Sequence, residues 1–373
     1  MSEDELLLGY FDTRTRALAT AAIGASLATL LLRSGGAGGV AVFVASAIAL
    51  AGLAAIVGEG TDQLSRRLGP RATGVLQSGL GNLPEFFIGI FALRAGLTDV
   101  VRAALVGSIL ANTLLVLGLA FVAGGLRHGR QRFGAEQTRL ISTLLVLSAA
   151  AIAVPTIATA PGGPAQGHAV ELSVVVSLVL LAVFAASLPF AVGGADSGRA
   201  ESPVGQAAGW NPPAAQAWPG SLAVAVLLVA GVAAAVVSDW FVDALQPAMT
   251  SLGMSQSFAG LVVVAIAGNA VENVVGVRAM LADRADLAIS VILNSSLQVA
   301  LALAPVLVLA SLVMGGATLT LVVSPLLVAA LALTAVLAAV VVVDGESTWL
   351  EGVALIGLYV ILAASVWWGP PIG

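Results

Sequence analysis

The chain has 373 residues, 59% of them hydrophobic and only 9% charged, with a mean hydropathy of +1.05. Soluble domains carry about 25% charged residues, so this composition excludes an ordinary soluble protein and places the chain in a lipid bilayer. With no cysteine, disulfides and thiolate metal sites are excluded, and the net charge of −5, carried mostly by loops, gives no nucleic-acid partner.

Apolar runs of about 18 residues or more read as membrane-spanning helices. Eleven such segments follow one another, at roughly 16–33, 38–59, 71–94, 100–125, 138–160, 168–192, 220–243, 256–281, 286–313, 317–343 and 347–368. The expected fold is therefore an all-α polytopic membrane protein of about eleven transmembrane helices. Residues 1–37 are expected to form a cytoplasmic tail and a first helix, and "MSEDELLLGYFDTRTR", acidic and then basic, reads as such a tail rather than a cleavable signal peptide. Residues 38–192 hold five helices and 220–373 five more. Between them, 193–219 is a linker rich in Gly, Pro, Ala and Ser. All fifteen basic residues are arginines, a bias that suggests a prokaryotic host and hence its cytoplasmic membrane. With the N-terminus inside, twelve arginines fall on the inner side and three (Arg33, Arg94, Arg102) on the outer, which places the C-terminus outside.

The chemistry lies in polar residues embedded in apolar segments. Glu59 and Asp62 end the second segment, as Asp239 and Asp243 end the seventh. These four acids are candidates to gather cations at the entrances, against the plainer reading of solvated helix ends. In the third segment, "GVLQSGLGNLPEFF" places Gly74, Gly79, Gly81 and Pro84 ahead of Glu85. Proline frees the carbonyl one turn earlier, and Asn82 shares a face with Glu85. A carboxylate, an amide oxygen and loosened carbonyls form the all-oxygen set that hard cations such as calcium take. The fourth segment adds Ser108 and Asn112 one turn apart in "GSILANTLLVLG". The eighth repeats Gly268, Asn269 and Glu272 without the proline, so its kink is expected to rest on Gly260 and Gly268. The ninth supplies Ser295 and Gln298. Plain helix packing is the competing role for each serine and asparagine. Asp99 and Asp286 read as first-turn helix charges, His128 and His168 as incidental, and Trp367 and Trp368 as an interfacial belt.

These residues recur at one offset. Glu272, Asp286 and Ser295 each lie 187 positions after Glu85, Asp99 and Ser108. Five helices per repeat invert the second unit relative to the first, which gives one helix plus two inverted five-helix repeats, an architecture that favours alternating access. Membrane-embedded carboxylates mark ion and proton pathways by default. Glu85 and Glu272, expected to face each other across a pseudo-twofold axis, would neutralise one divalent ion. Without that ion, low dielectric and mutual repulsion favour their protonated forms, so the same carboxylates would carry either the metal or protons.

The stretches "VSDWFVDALQPAMTSLGMSQSFAGLVVVAIAGNAVEN", "GSILANTLLVLG" and "LQVALALAP" resemble the cation/proton exchanger branch of the calcium/cation antiporter superfamily. The likeness runs from about Gly58 to Ala310. It implies eleven helices, arranged as one plus five plus five, and calcium/proton exchange through Glu85 and Glu272. It also implies site roles for Asn82, Asn269, Ser108, Asn112, Ser295 and Gln298. The chain departs from the pattern at Gly-Asn-Leu-Pro-Glu, whose Pro-Glu pair resembles the sodium/calcium exchanger branch. Further departures are Gln77 for asparagine, Asn273 for histidine, Asn294 for glycine, and a linker with only Asp196 and Glu201 as acids.

The expectation is thus a secondary antiporter exporting Ca2+ for H+, with no cofactor and no enzymatic activity. Its partners are inorganic cations and the lipid bilayer. The sequence has no Gly-x-x-x-x-Gly-Lys loop for ATP. Sodium or potassium against protons, and sodium against calcium, are the alternatives within the class. A cation channel is the rival outside it, but it would want rings of equivalent residues around a continuous pore.

Overall fold

The computed structural model describes residues 11–65, 67, 79–193 and 218–368. Gly74, Gln77 and linker residues 194–217 lie outside these. The described chain is almost wholly helical. Its elements are α1 (Thr13–Ser34), α2 (Gly39–Ser65), α3 (Leu83–Arg94), α4 (Thr98–His128), β1 (Gln131–Arg132), α5 (Ala135–Ala158) and α6 (Ala169–Gly193). They continue with α7 (Gly220–Leu252), α8 (Gln256–Gly268), α9 (Ala270–Leu281), α10 (Ala285–Met314), α11 (Pro325–Val341), β2 (Glu346–Ser347) and α12 (Trp349–Trp367). Among the described residues, eight helices are long and apolar enough to cross a membrane, or nine if the α8–α9 pair, bent by 63°, is one span. Each of the eleven expected segments contains helix among its described residues, but the tenth helix is short.

The tenth segment is a correction. Residues 317–324 are not helical. Leu319, Leu321 and Val323 bury their side chains and donate their backbone N–H groups to the hydroxyls of Ser311, Ser173 and Thr156, at 2.9, 3.0 and 3.0 Å. Side-chain oxygens thus replace the helical carbonyls as acceptors, which is what buried non-helical backbone requires. Helix α11 begins only where Pro325 supplies a preset φ at its first position and Ser324 caps it.

The chain divides into two compact units, each drawing on both halves of the sequence: 1–88 with 188–252, and 89–187 with 253–373. In the first unit α2 packs against α1 and α7. Close approach comes from glycines, with Gly52 against Ala22, Gly39 against Pro247 and Gly60 against Leu227. Phe43 stacks on Phe241 at 4.7 Å between ring centroids. Arg33 of α1 pairs with Asp243 of α7 at 2.8 Å.

In the second unit α4 crosses α8 where two glycines meet backbone: Gly107 lies on Leu261, and Gly260 on Val100 and Ala103. A second glycine crossing, Gly118 with Gly352, seats α12 on α4. Strands β1 and β2 pair antiparallel, Gln131 opposite Ser347 and Arg132 opposite Glu346. Asp99 and Asp286 do occupy first turns, as expected. Asp99 pairs with Arg102, and Asp286 accepts the Gly134 N–H.

Candidate functional site

The two glutamates occupy the same local structure. Helix α3 starts at Leu83 after a turn at Asn82, and Glu85 is its third residue; α9 starts at Ala270 after a turn at Asn269, and Glu272 is its third residue. Both helices have twelve residues and both sets of bounds differ by 187. Each carboxylate therefore sits at a helix N-terminus, where the macrodipole stabilises negative charge. Pro84 is the second residue of α3, a position where its missing N–H costs nothing. The break in the eighth segment falls at Asn269, immediately after Gly268, while Gly260 lies in a π-helical turn, Ala259–Val264, where α8 crosses α4.

The recurrence extends to features that the sequence left unread. A π-helical turn interrupts α4 at Ala111–Val116 and α10 at Val299–Leu303, and the α-helix resumes at Leu117 and Ala304, again 187 apart. Asp283, with φ 59°, stands 187 residues after Gly96, with φ 77°. The strict counterpart of Asn112 is the fully buried Val299, so the two halves differ here. Gln298, one residue earlier, is half-buried. Single π turns of this kind are frequent at functional sites.

Within the second unit the structure brings four of the expected residues together. Asn112 Nδ2 donates to Ser295 Oγ at 2.9 Å and to Asn269 Oδ1 at 3.3 Å. Ser295 Oγ donates to Asn269 Oδ1 at 3.2 Å. Asn269 Nδ2 donates to Ser108 Oγ and to the Ala265 carbonyl, both at 3.0 Å. All four side chains are at most 5% exposed. Helices α4, α8, α9 and α10 thus meet at a neutral, oxygen-bearing cluster at the helix break, one turn ahead of Glu272.

In the first unit Asn82 and Glu85 are buried. Of the four acids expected at the entrances, Glu59 and Asp62 lie in the last two turns of α2, which continues to Ser65, and Asp62 is buried. Asp239 and Asp243 lie inside α7, which continues to Leu252, with Asp243 held by Arg33. Past Asp243 the α7 backbone stays helical, with Ala244, Leu245, Ala248 and Met249 buried. Gln63 was missed in the sequence. Its Nε2 donates to Glu59 Oε1 at 3.1 Å and its Oε1 accepts the Trp218 N–H at 3.3 Å. The i,i+4 spacing of Glu59 and Gln63 was the available signal. Among the described residues no three His, Cys, Asp or Glu side chains group as a metal cage.

The sodium/calcium exchanger protein family profile matches residues 38–193 and 222–368. The Ca(2+)/H(+) antiporter of Synechocystis sp. is 36% identical over 89% of this chain and 92% of its own length. The Ca(2+)/H(+) antiporter ChaA of Bacillus subtilis is 33% identical over 86% and 90%. Among solved structures, the selenium-substituted Ca2+/H+ antiporter YfkE superposes with a TM-score of 0.77 at 27% identity, covering 94% of this chain and 99% of that one.

Proposed function

The chain belongs to the sodium/calcium exchanger protein family, and from that premise we propose that it exchanges Ca2+ for H+ across the membrane by alternating access. Glu85 and Glu272 are the groups that take up either the cation or protons, each in its own half. Asn82, Ser108, Asn112, Asn269, Ser295 and Gln298 supply the neutral oxygens and amides that shape the site. The observation that carries this reading is the buried cluster of Ser108, Asn112, Asn269 and Ser295 at the break before Glu272. A hard divalent cation needs six to eight oxygens, of which carboxylates supply the charge and amides and hydroxyls the remainder.

The repeat at 187 residues supports extending the same role to Glu85, as do the two separate stretches matched by the family profile. We assign the protein to a prokaryotic cytoplasmic membrane because all its basic residues are arginines, with its N-terminus inside and C-terminus outside on their distribution. The exchange needs no cofactor: a carboxylate without its metal in low dielectric takes protons, and the imposed gradient drives the cycle.

The test is calcium uptake into inverted membrane vesicles with an acidic interior, for wild type, Glu85→Gln and Glu272→Gln. Gradient-driven, saturable uptake that both substitutions abolish is the expected result. Proton release on adding sodium or potassium, without calcium movement, overturns the substrate. Calcium flux that ignores the proton gradient overturns the antiporter.

A further inference from the structure

Asn269 stands at the break between α8 and α9, at the N-cap position of α9, yet its side chain makes no capping hydrogen bond. Asparagine at such a position ordinarily turns its oxygen onto the first-turn N–H groups. Here the amide is committed elsewhere. Its two N–H groups go to Ser108 Oγ and the Ala265 carbonyl, and its oxygen accepts from Asn112 Nδ2 and Ser295 Oγ. An asparagine side chain offers two donors and two lone pairs, so every position is filled, and the residue is 0% exposed.

The neighbours are not filled. Asn112 enters the cluster through its Nδ2 alone, which leaves its Oδ1 outside these bonds. Ser295 Oγ accepts one bond and donates one, which leaves a lone pair. Ser108 Oγ accepts one bond from Asn269 and likewise keeps a lone pair. We infer that Asn269 is a positioning residue and not a cation ligand. It binds the break to α4 and α10 and accepts the Ser295 hydroxyl hydrogen bond, so that coordination is left to Asn112 Oδ1, Ser295 Oγ and Ser108 Oγ with Glu272. This rests on the antiporter reading above and divides the labour within that site: one asparagine coordinates, the other orients.

The test is a double-mutant cycle on gradient-driven calcium uptake in the full chain, comparing wild type, Asn269→Ala, Ser295→Ala and the double variant. A residue that acts through Ser295 raises the calcium KM several-fold with little change in maximal rate. The double variant is then no worse than the more affected single one, because removing the partner removes the effect. An independent ligand gives fold-changes that multiply in the double variant; that outcome, or an unchanged KM in Asn269→Ala, overturns the inference. If Asn269→Ala does not yield folded protein, Asn269→Ser carries the same cycle, since its hydroxyl is small and accepts a hydrogen bond. Absence of calcium uptake by the wild type would refute the antiporter reading instead. The cycle is then read with whichever cation the protein exchanges, by the same criterion.

Discussion

Placing a methyl group on Gly260 tests how tightly the cluster is set by the crossing of α4 and α8. A Cβ there would lie 2.7 Å from Ala103 Cβ and 2.9 Å from the Ala104 nitrogen, and closer still to the Val100 carbonyl oxygen. Ordinary contact begins near 3.4 Å, so the helices must part by at least about 0.7 Å, and the obstructing atoms are mainly backbone that no rotamer can move aside. The Asn269–Ser108 hydrogen bond, now 3.0 Å, would stretch beyond its useful range. Overpacking costs about 1–3 kcal/mol and the lost hydrogen bond about 1 kcal/mol, so Gly260→Ala should lose roughly 2–4 kcal/mol of stability. The assay is the thermal unfolding midpoint in detergent beside the calcium KM in vesicles. The control is Gly231→Ala on α7, where an added Cβ has nothing within 4 Å. An unchanged midpoint and KM in Gly260→Ala would refute the argument that this crossing positions the site.

Two further outcomes are expected from the same structure. Arg102 donates to Asp99 at 2.7 Å, to the Thr320 carbonyl at 3.1 Å and to Thr320 Oγ1 at 3.0 Å, so it fastens the non-helical segment 317–324 to α4. Arg102→Ala should cost about 2–3 kcal/mol, the scale of lost charge-assisted bonds, and expose that segment to proteolysis. Arg102→Lys should recover only part, since a single ammonium cannot reproduce the fork. Thr348 and Glu351 form a reciprocal capping box at the start of α12, with Glu351 Oε2 accepting from Thr348 N and Oγ1, both at 2.8 Å. Thr348→Ala should lower stability by about 1 kcal/mol in thermal unfolding while leaving calcium uptake unchanged.

Sequence alone was enough for the membrane, for helix in each of the eleven segments, and for the paired Asn-x-x-Glu stretches, because hydropathy and spacing are local properties. The offset of 187 between Glu85 and Glu272 carried over to helix bounds, turns and π-helical interruptions, since equivalent sequences fold to equivalent local structure. Local reading failed where hydropathy and conformation part company. Residues 317–324 are largely apolar but not helical, because hydroxyls of Ser311, Ser173 and Thr156, remote in sequence or on other helices, take up their backbone donors. Asp239 and Asp243 look like a helix end, yet α7 runs on past them to Leu252. Only the tertiary structure decided that Ser108, Asn112, Asn269 and Ser295 share one hydrogen-bonded cluster, and that Asn269 spends three of its four bonds within it and the fourth on the Ala265 carbonyl. Spacing can put a residue on a face. It takes the crossing of α4, α8 and α10 to determine which donor meets which oxygen, and hence which oxygens remain for a cation.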